Sequence, residues 1–153
     1  MKVPIRQATA DDAPFLAWVM LQAARGHLAR GIWDITLDRP ERQCLAYLER
    51  LTLTPTRSWF HYSGFKVVDI DGRSVSALCG YDPHAAGTPA VVKATDEVAD
   101  QLLWSQNERL APWKRFEPIR PCMSDEAEGA WIIENVATVP EFRGRGIVDA
   151  LLG

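Results

Sequence analysis

The C-terminal part of the chain places a strand-like run, a glycine-containing loop and a helix-like run in direct succession. The run WIIENVATV at 131–139 is apolar and β-branched, which is typical of a central strand. Pro140 ends it, because proline has no N–H to donate to a neighbouring strand. The loop RGRG at 143–146 follows, and IVDALL at 147–152 then has the composition of a helix. This succession favours a fold that packs helices on a sheet.

The loop at 143–146 has the properties of an anion site. Glycine lets the backbone approach a ligand without an intervening Cβ, and the start of a helix presents N–H groups with no partner. Arginines beside it add charge-assisted hydrogen bonds to phosphate oxygens. The residues therefore predict a phosphate or pyrophosphate site, with an inert surface turn as the alternative. The spacing is neither GxGxxG nor GxxxxGK[ST], so the two best-known nucleotide-binding loops lack their defining residues.

The N-terminal third predicts one strand and two helices. The strand is VPIRQA at 3–8, and a helix follows over 9–27 with Thr9 or Asp12 as its N-cap. The segment GHLARGIWDI at 26–35 is predicted to be a loop or a broken turn. A second helix is predicted over 38–51, with an Asp38–Glu41 capping box and an apolar stripe of Cys44, Leu48 and Leu51.

The middle of the chain predicts a β-hairpin. Asp71-Gly72 separates two β-type runs, FKVVDI at 65–70 and RSVSALCGY at 73–81. Alternation in the second run predicts a half-buried antiparallel sheet. It places Ser74, Ser76 and Leu78 on one face and Val75, Ala77, Cys79 and Tyr81 on the other.

The segment 82–129 is predicted to be an insert between the third and fourth strands. Thr95 is expected to cap a helix whose apolar contacts come from Val98, Leu102 and Leu103. The residues 111–130 are predicted to be an irregular loop ending in the acids Asp125, Glu126 and Glu128. The overall prediction is an α/β fold with a mixed α+β sheet, forming one domain over 1–153.

Composition excludes several classes of function. The chain has 153 residues and a net charge of -3, which argues against a general nucleic-acid or anionic-membrane binder. No apolar run reaches the roughly 20 residues that span a bilayer. The three cysteines and three histidines are widely separated, so no metal site is expected. Reduced thiols and the lack of a secretory leader favour a cytoplasmic protein.

The segment IENVATVPEFRGRGI followed by DALL resembles the acetyl-CoA-binding motif of the GNAT (Gcn5-related N-acetyltransferase) superfamily. The order of strands and helices agrees with that fold over essentially the whole chain. The resemblance implies that Val136, Ala137 and Thr138 pair with the pantetheine arm and that the backbone N–H of Val136 polarises the thioester carbonyl. It also implies that the loop around the pyrophosphate comprises Arg143, Gly144, Arg145, Gly146, Ile147 and Val148.

Two departures from the family pattern stand out. Val148 occupies a position where the family prefers Gly or Ala, and a β-branched side chain there is expected to lower the affinity for the cofactor. Family members also continue through further strands and helices after this motif. The chain is therefore expected to be a GNAT-like fold truncated after the fourth strand and the start of the next helix, with the remaining strands absent or supplied by another chain.

Glu134 is the candidate general base. The family mechanism needs a base near the acetyl group, and strand alternation places Glu134 on the same face as Ile132 and Val136. The alternative is a carboxylate that binds a loop or the ammonium group of the substrate. Acceptor recognition is expected from the segment 25–38, where His27, Trp33 and Asp34 are candidates, with the insert over 82–129 as a further candidate region. Tryptophan is more often a packing residue.

The resemblance implies an N-acetyltransferase that uses acetyl-CoA, without a metal, on a primary amine of a small molecule or peptide. The alternatives are a non-catalytic acyl-CoA-binding or interaction module, and a half-domain completed by a partner chain or in a homodimer. Nucleic acid and membrane are not expected partners.

Overall fold

The computed structural model of the chain describes residues 3–123, 127 and 129–153. The described strands form one antiparallel sheet in the order β1-β2-β3-β4. They are β1 (Ile5–Gln7), β2 (Phe65–Ile70), β3 (Arg73–Tyr81) and β4 (Ile132–Thr138). The predicted acids Asp125, Glu126 and Glu128 lie outside the described residues.

Helices occupy the connections between the strands. Between β1 and β2 lie α1 (Ala13–Arg25), α2 (Ile32–Leu37) and α3 (Glu41–Thr52). Between β3 and β4 lie α4 (Pro83–Ala86), α5 (Thr88–Gln101) and α6 (Gln106–Phe116). The short helix α7 (Ile147–Leu152) follows β4.

The sheet separates two apolar cores. The larger core includes Phe65 of β2, and α1, α3 and α5 contribute Leu16, Leu48 and Val98, all fully buried. The smaller core lies on the opposite face, where Ile147 and Leu151 of α7 pack against Val68, Val75, Leu78 and Val139. Burial of such side chains supplies most of the folding free energy, at about 1.5–3 kcal/mol each.

The start of α1 confirms the predicted N-terminal capping. A 3-10 turn, Ala10–Asp12, precedes the helix, and the backbone N–H of Thr9 donates to Asp12 Oδ2 at 2.7 Å. Arg6 of β1 donates to both carboxylate oxygens of Asp12 at 2.7 Å each and also binds Asp69 of β2. Arg6 therefore joins the first strand, the first helix and the hairpin, and it lowers the pKa values of both aspartates.

The prediction of a loop over 26–35 is wrong in its second half, which forms α2. A Cβ on Gly31 would lie 2.3 Å from the carbonyl oxygen of Ala24, so only glycine lets the chain cross the end of α1 at this point. Asp34 then accepts a hydrogen bond from the backbone N–H of Gly31 at 2.8 Å and forms an ion pair with Arg25 at 2.7 Å.

The Asp38–Glu41 capping box is also wrong. Asp38 ends α2 in the left-handed conformation, with φ 50°, and Pro40 directly precedes α3. Glu41 instead pairs with Arg25 at 2.7 Å. The stripe of Cys44, Leu48 and Leu51 is confirmed, because all three side chains are fully buried.

The hairpin at Asp71-Gly72 is confirmed, and both turn residues have positive φ, as a two-residue turn of the I′ type requires. The prediction of a half-buried strand is wrong, because β3 is buried from Val75 to Cys79 and the two cores cover both faces. Val68 pairs with Ser76 but Asp69 pairs with Ser74, so Val75 is an extra residue in β3. This bulge moves Val75 into the smaller core, away from Ala77, Cys79 and Tyr81.

The helix predicted to start at Thr95 starts earlier, at Thr88, with a proline in its first turn. Thr95 is an interior residue whose hydroxyl donates to the carbonyl oxygen of Val92 at 2.8 Å. Val98 is buried as predicted, but Leu103 is 89% exposed just after the helix ends.

The loop predicted over 111–130 is helical in its first part. The helix α6 starts at a capping box between Ser105 and Glu108 and continues through Pro112. No helix in the described part of the chain combines the length and the apolar character needed to cross a membrane. The described residues also contain no cluster of His, Cys, Asp and Glu suited to a metal ion.

Candidate functional site

The strand β4 lies at the edge of the described sheet, with β3 as its neighbour there. The prediction of a central strand is therefore wrong for the sheet as described. Ile133 is 46% exposed and Trp131, just before the strand, is 69% exposed. The apolar composition of β4 thus reflects contacts with both cores on its two faces, and its outer edge pairs with no strand of the described sheet.

A β-bulge interrupts β4 in its middle. Ala137 pairs with Ala77 and Glu134 pairs with Cys79, so Asn135 and Val136 together face Leu78 alone. Asn135 has φ 53°, a left-handed conformation that asparagine tolerates better than most residues. Such a bulge bends the strand and re-aims the side chains around it.

The bulge overturns the predicted alternation of side chains. Glu134 shares a face with its partner Cys79, a residue of the larger core, whereas Val136 packs against the smaller core. Glu134 and Val136 were predicted to share a face, and that prediction is wrong because the extra residue reverses the alternation. The bulge therefore places the carboxylate of Glu134 next to a distorted backbone, while the side chains of Glu134 and Val136 lie on opposite faces of the sheet.

Glu134 is half-buried and forms no hydrogen bond or ion pair with the described residues. Burial raises its pKa above the ordinary value. The neighbouring thiol of Cys79 has its pKa raised to about 12 by burial and by the charge of Glu134, and it donates to the carbonyl oxygen of Trp59 at 2.9 Å. An unpaired carboxylate of raised pKa beside a neutral thiol is suited to accepting a proton.

The loop after β4 starts with the 3-10 turn Pro140–Phe142 and passes through Gly144 and Gly146, whose φ values are 72° and 70°. A Cβ on Gly144 would meet nothing within 4 Å, so conformation, and not space, requires glycine there. Within the described residues, the backbone N–H groups of Gly144, Arg145 and Gly146 donate to no acceptor. The loop therefore presents consecutive free donors to the surface.

The two arginines of the loop brace its backbone. Arg143 Nε donates to the carbonyl oxygen of Thr138 at 3.0 Å, which ties the loop to the end of β4. Arg145 donates to the carbonyl oxygen of Glu141 at 2.9 Å, and its guanidinium carbon lies 4.9 Å from the ring centroid of Phe142. The Nη atoms of Arg143 bind no other described residue, so they are available to an anion.

The remaining predicted cofactor residues anchor the loop at both ends. Ile147 is buried in the smaller core, and the hydroxyl of Thr138 lies 2.8 Å from that of Ser76. Val148 is half-buried at the start of α7. Asp149 follows in the first turn, where its negative charge opposes an anion bound by the loop.

The predicted acceptor residues are used mainly for structure. Asp34 is buried and bound to Arg25 and Gly31. Trp33 packs against Phe60 with ring centroids 5.1 Å apart, while His27 lies exposed in the turn after α1. The structure does not bring these residues to β4 as a group.

A groove of about 730 Å³ was not anticipated from the sequence. Neither Glu134 nor any residue of the loop 143–146 lines it. Its walls carry three aromatic side chains and two basic ones, which come from four separate segments: Trp59, Tyr81, Trp131, Arg57 and Lys66. No local pattern in the sequence could have joined them.

Two solved structures resemble this one. An N-acetyltransferase from Staphylococcus aureus Mu50 superposes with a TM-score of 0.62 and 19% identity, over 97% of this chain and 72% of that one. The structure of a second acetyltransferase superposes with a TM-score of 0.55 and 19% identity, over 97% of this chain and 71% of that one. The chain has the N-acetyltransferase fold. No family model and no curated protein sequence matches it.

Proposed function

We propose that the chain is an N-acetyltransferase that transfers the acetyl group of acetyl-CoA to a primary amine of a small molecule or peptide. The observation that carries this proposal is the loop of unpartnered N–H groups at 144–146, at the end of a bulged strand in an N-acetyltransferase fold. A GNAT-family enzyme needs an anion cradle at this place, and the geometry here is suited to one.

In this proposal the pyrophosphate of acetyl-CoA accepts hydrogen bonds from the backbone of the loop and from the Nη atoms of Arg143. The pantetheine arm lies along Val136, Ala137 and Thr138 at the open edge of β4. Val148 narrows the space at the start of α7, and Asp149 adds a negative charge there, so both side chains weaken the binding of the cofactor. No metal takes part.

The amine attacks the thioester carbon in a ternary complex. The backbone N–H of Val136 hydrogen-bonds the carbonyl oxygen, which gains negative charge as the C–N bond forms; one such donor contributes about 3 kcal/mol. Glu134 takes the proton that the amine nitrogen loses, and its raised pKa makes it a stronger base than an exposed glutamate. The C–S bond then breaks, and the electrons leave with the thiolate of CoA.

A second function is favoured by the open edge of β4. The exposed apolar side chains Trp131, Ile133 and Leu152 lie at or near this edge and at the end of α7. An unpaired strand edge is a template for another strand. A non-catalytic acyl-CoA-binding module, or a half-domain completed by a second copy or a partner chain, would use these features. In either case we propose a cytoplasmic protein that binds neither nucleic acid nor membrane.

The two functions are separated by turnover. The purified chain is incubated with acetyl-CoA and a panel of primary amines, and acetylated products are measured by mass spectrometry. Thiol reagents are unsuitable because Cys122 is exposed and would react. N-acetylated product above the uncatalysed rate supports the enzyme, provided that Glu134→Gln lowers the rate and shifts its pH dependence. Binding of acetyl-CoA without turnover of any amine supports the second function.

A further inference from the structure

The groove of about 730 Å³ has the size and the lining of a small-molecule site. Sites for small ligands typically measure about 300–1,000 Å³ and combine apolar and aromatic side chains with a few polar groups. Here the sheet contributes Leu78, Gly80 and Ile133, and the end of α7 contributes Leu151 and Leu152. Because none of these residues belongs to the loop 143–146, the groove is a second candidate site.

One aromatic side of the groove is fixed in place. The ring of Trp59 stacks on that of Tyr81, with centroids 5.1 Å apart and an interplanar angle of 25°. The backbone N–H of Trp59 donates to the carbonyl oxygen of Ala86 at 3.0 Å, and its carbonyl oxygen accepts from Cys79 Sγ at 2.9 Å. This aromatic surface is formed before a ligand arrives, which lowers the entropic cost of binding.

The indole of Trp131 lines the groove beside β3. Trp131 is 69% exposed, and a Cβ on Gly80 would lie 2.4 Å from its Nε1 atom, so the indole lies directly against the backbone of Gly80. Gly80 has no positive φ, so its own conformation does not require glycine. The missing side chain instead makes room for the indole. A large exposed ring held in a groove offers a face on which a planar ligand can stack.

The charged side chains of the groove favour an anion. Arg57 and Lys66 are exposed, and neither forms a hydrogen bond or an ion pair with a described residue. Asp82 is the one acidic residue of the described lining, and its Oδ1 already accepts from the backbone N–H of His84 at 2.9 Å at the start of α4. Aromatic faces alone would also attract a cation. Two unpaired positive charges among them repel it and attract a negative group.

We propose that this groove binds a small aromatic anion. The ring of the ligand packs against Trp131 and Trp59, and its negative group pairs with Arg57 and Lys66. A guanidinium can donate two parallel hydrogen bonds to a carboxylate, which is the simplest such group. The proposal does not depend on acetyl transfer, because no residue of the acetyl-CoA site proposed above lines the groove.

The test titrates the chain with three ligands that share an indole ring and differ in charge, and it follows binding by ligand-observed NMR. Indole-3-acetate is an anion at neutral pH, indole-3-acetamide is neutral and tryptamine is a cation. We expect indole-3-acetate to bind about tenfold more tightly than the amide, and tryptamine to bind most weakly. Acetate, which has the charge without the ring, should show no binding.

Variants separate the two parts of the contact. Arg57→Gln and Lys66→Gln should each weaken binding of indole-3-acetate by about fivefold and leave binding of indole-3-acetamide unchanged, since only a charge is removed. Gly80→Ala should weaken binding of both ligands, because the new methyl group displaces the indole of Trp131. Trp131→Leu, at a largely exposed position, tests the same contact in a second way. The control is Lys93→Gln, at an exposed lysine of α5 outside the groove, which should bind like the wild type.

Each outcome decides the matter. The proposal is overturned if indole-3-acetate does not bind, or if the three indoles bind with equal affinity. Tightest binding of tryptamine also overturns it and makes the groove a site for amines. A preference for indole-3-acetate that persists in the double variant of Arg57→Gln and Lys66→Gln places the anion outside the groove. Unchanged binding by Trp131→Leu would show that the ring of the ligand does not lie on this indole, and would likewise overturn the proposal.

Discussion

The junction of α1 with α2 and the end of β4 both contain glycines, arginines and carboxylates, but they use them in opposite ways. At the junction, Arg25, Asp34 and the backbone N–H of Gly31 satisfy one another in a buried cluster. At β4, the carboxylate of Glu134, the amide of Asn135 and the N–H groups of the loop lack partners among the described residues. The junction is built for stability, and we propose that the end of β4 receives a ligand.

The largest effect is expected from Gly31→Ala. A Cβ there would lie 2.3 Å from backbone atoms of α1, which cannot move without displacing the helix, so the free energy of unfolding should fall by more than about 3 kcal/mol. The control is Gly72→Ala in the hairpin turn, where a Cβ meets nothing within 4 Å and only the positive φ is strained, at about 1–2 kcal/mol. Chemical denaturation measures the free energy of unfolding of both variants. An equal loss of stability in the two would contradict the close approach of Gly31 to the backbone of Ala24.

A smaller loss is expected from Asp34→Asn, which leaves Arg25 with only an exposed partner. Breaking a buried pair of this kind costs about 3 kcal/mol near pH 7. Arg25 lowers the pKa of Asp34, so its contribution is present above the ordinary pKa of aspartate and is lost as the pH falls through the lowered value. Denaturation curves at several pH values should therefore converge for the two proteins in acid. A constant difference would argue against the ion pair.

Glu134→Gln, unlike Asp34→Asn, should not lower the free energy of unfolding at neutral pH. Burial raises the pKa of Glu134, so the folded state holds a proton that the unfolded state releases, and wild-type stability should fall as the pH rises above about 4.3. Glutamine removes this pH dependence and should be as stable as the wild type, or more stable, at neutral pH, while acetyl transfer is lost. Thermal unfolding across pH 4–8 checks the first part. If the stability of the two proteins changed with pH in the same way, burial of the Glu134 carboxylate would not destabilise the folded state.

The smallest effect is expected from Val148→Ala, which restores the residue size preferred in the GNAT motif. Removing the branched side chain beside the loop should tighten binding of CoA by about threefold, less than 1 kcal/mol. The control is Val92→Ala on α5, at an exposed valine outside the loop. Calorimetry should find the control unchanged. Weaker binding by Val148→Ala would mean that this side chain contacts the cofactor favourably.

The sequence predicts the parts of the molecule that depend on local chemistry. The hairpin followed from Asp71-Gly72, the stripe of α3 from its 3.6-residue period, and the N-acetyltransferase fold from the motif after β4. The predictions failed where distant residues decide the structure. Gly31 precedes a helix at a point where the backbone passes close to the carbonyl oxygen of Ala24 in α1. Glu41 forms an ion pair with Arg25 and does not cap α3.

The same distinction holds within the candidate site. The glycine loop was predictable because its conformational requirement lies in the loop itself. The bulge at Asn135 was not, since it depends on the register between β3 and β4, and it reversed the expected faces of Glu134 and Val136. An asparagine inside an otherwise apolar strand was the one local signal, because asparagine is depleted in strands. No sequence pattern predicted the groove beside Trp131, because the residues that line it come from separate segments of the chain.

The most direct measurement is calorimetric titration of acetyl-CoA into the wild-type chain and into Gly146→Ala and Gly72→Ala. Both glycines have positive φ, but only Gly146 lies in the loop, while Gly72 lies in the hairpin. The wild type and Gly72→Ala should bind acetyl-CoA with equal affinity, and Gly146→Ala should bind at least about tenfold more weakly at a similar cost in stability. Absence of binding by the wild type, or equal binding by all three proteins, would contradict the assignment of this loop as the cofactor site.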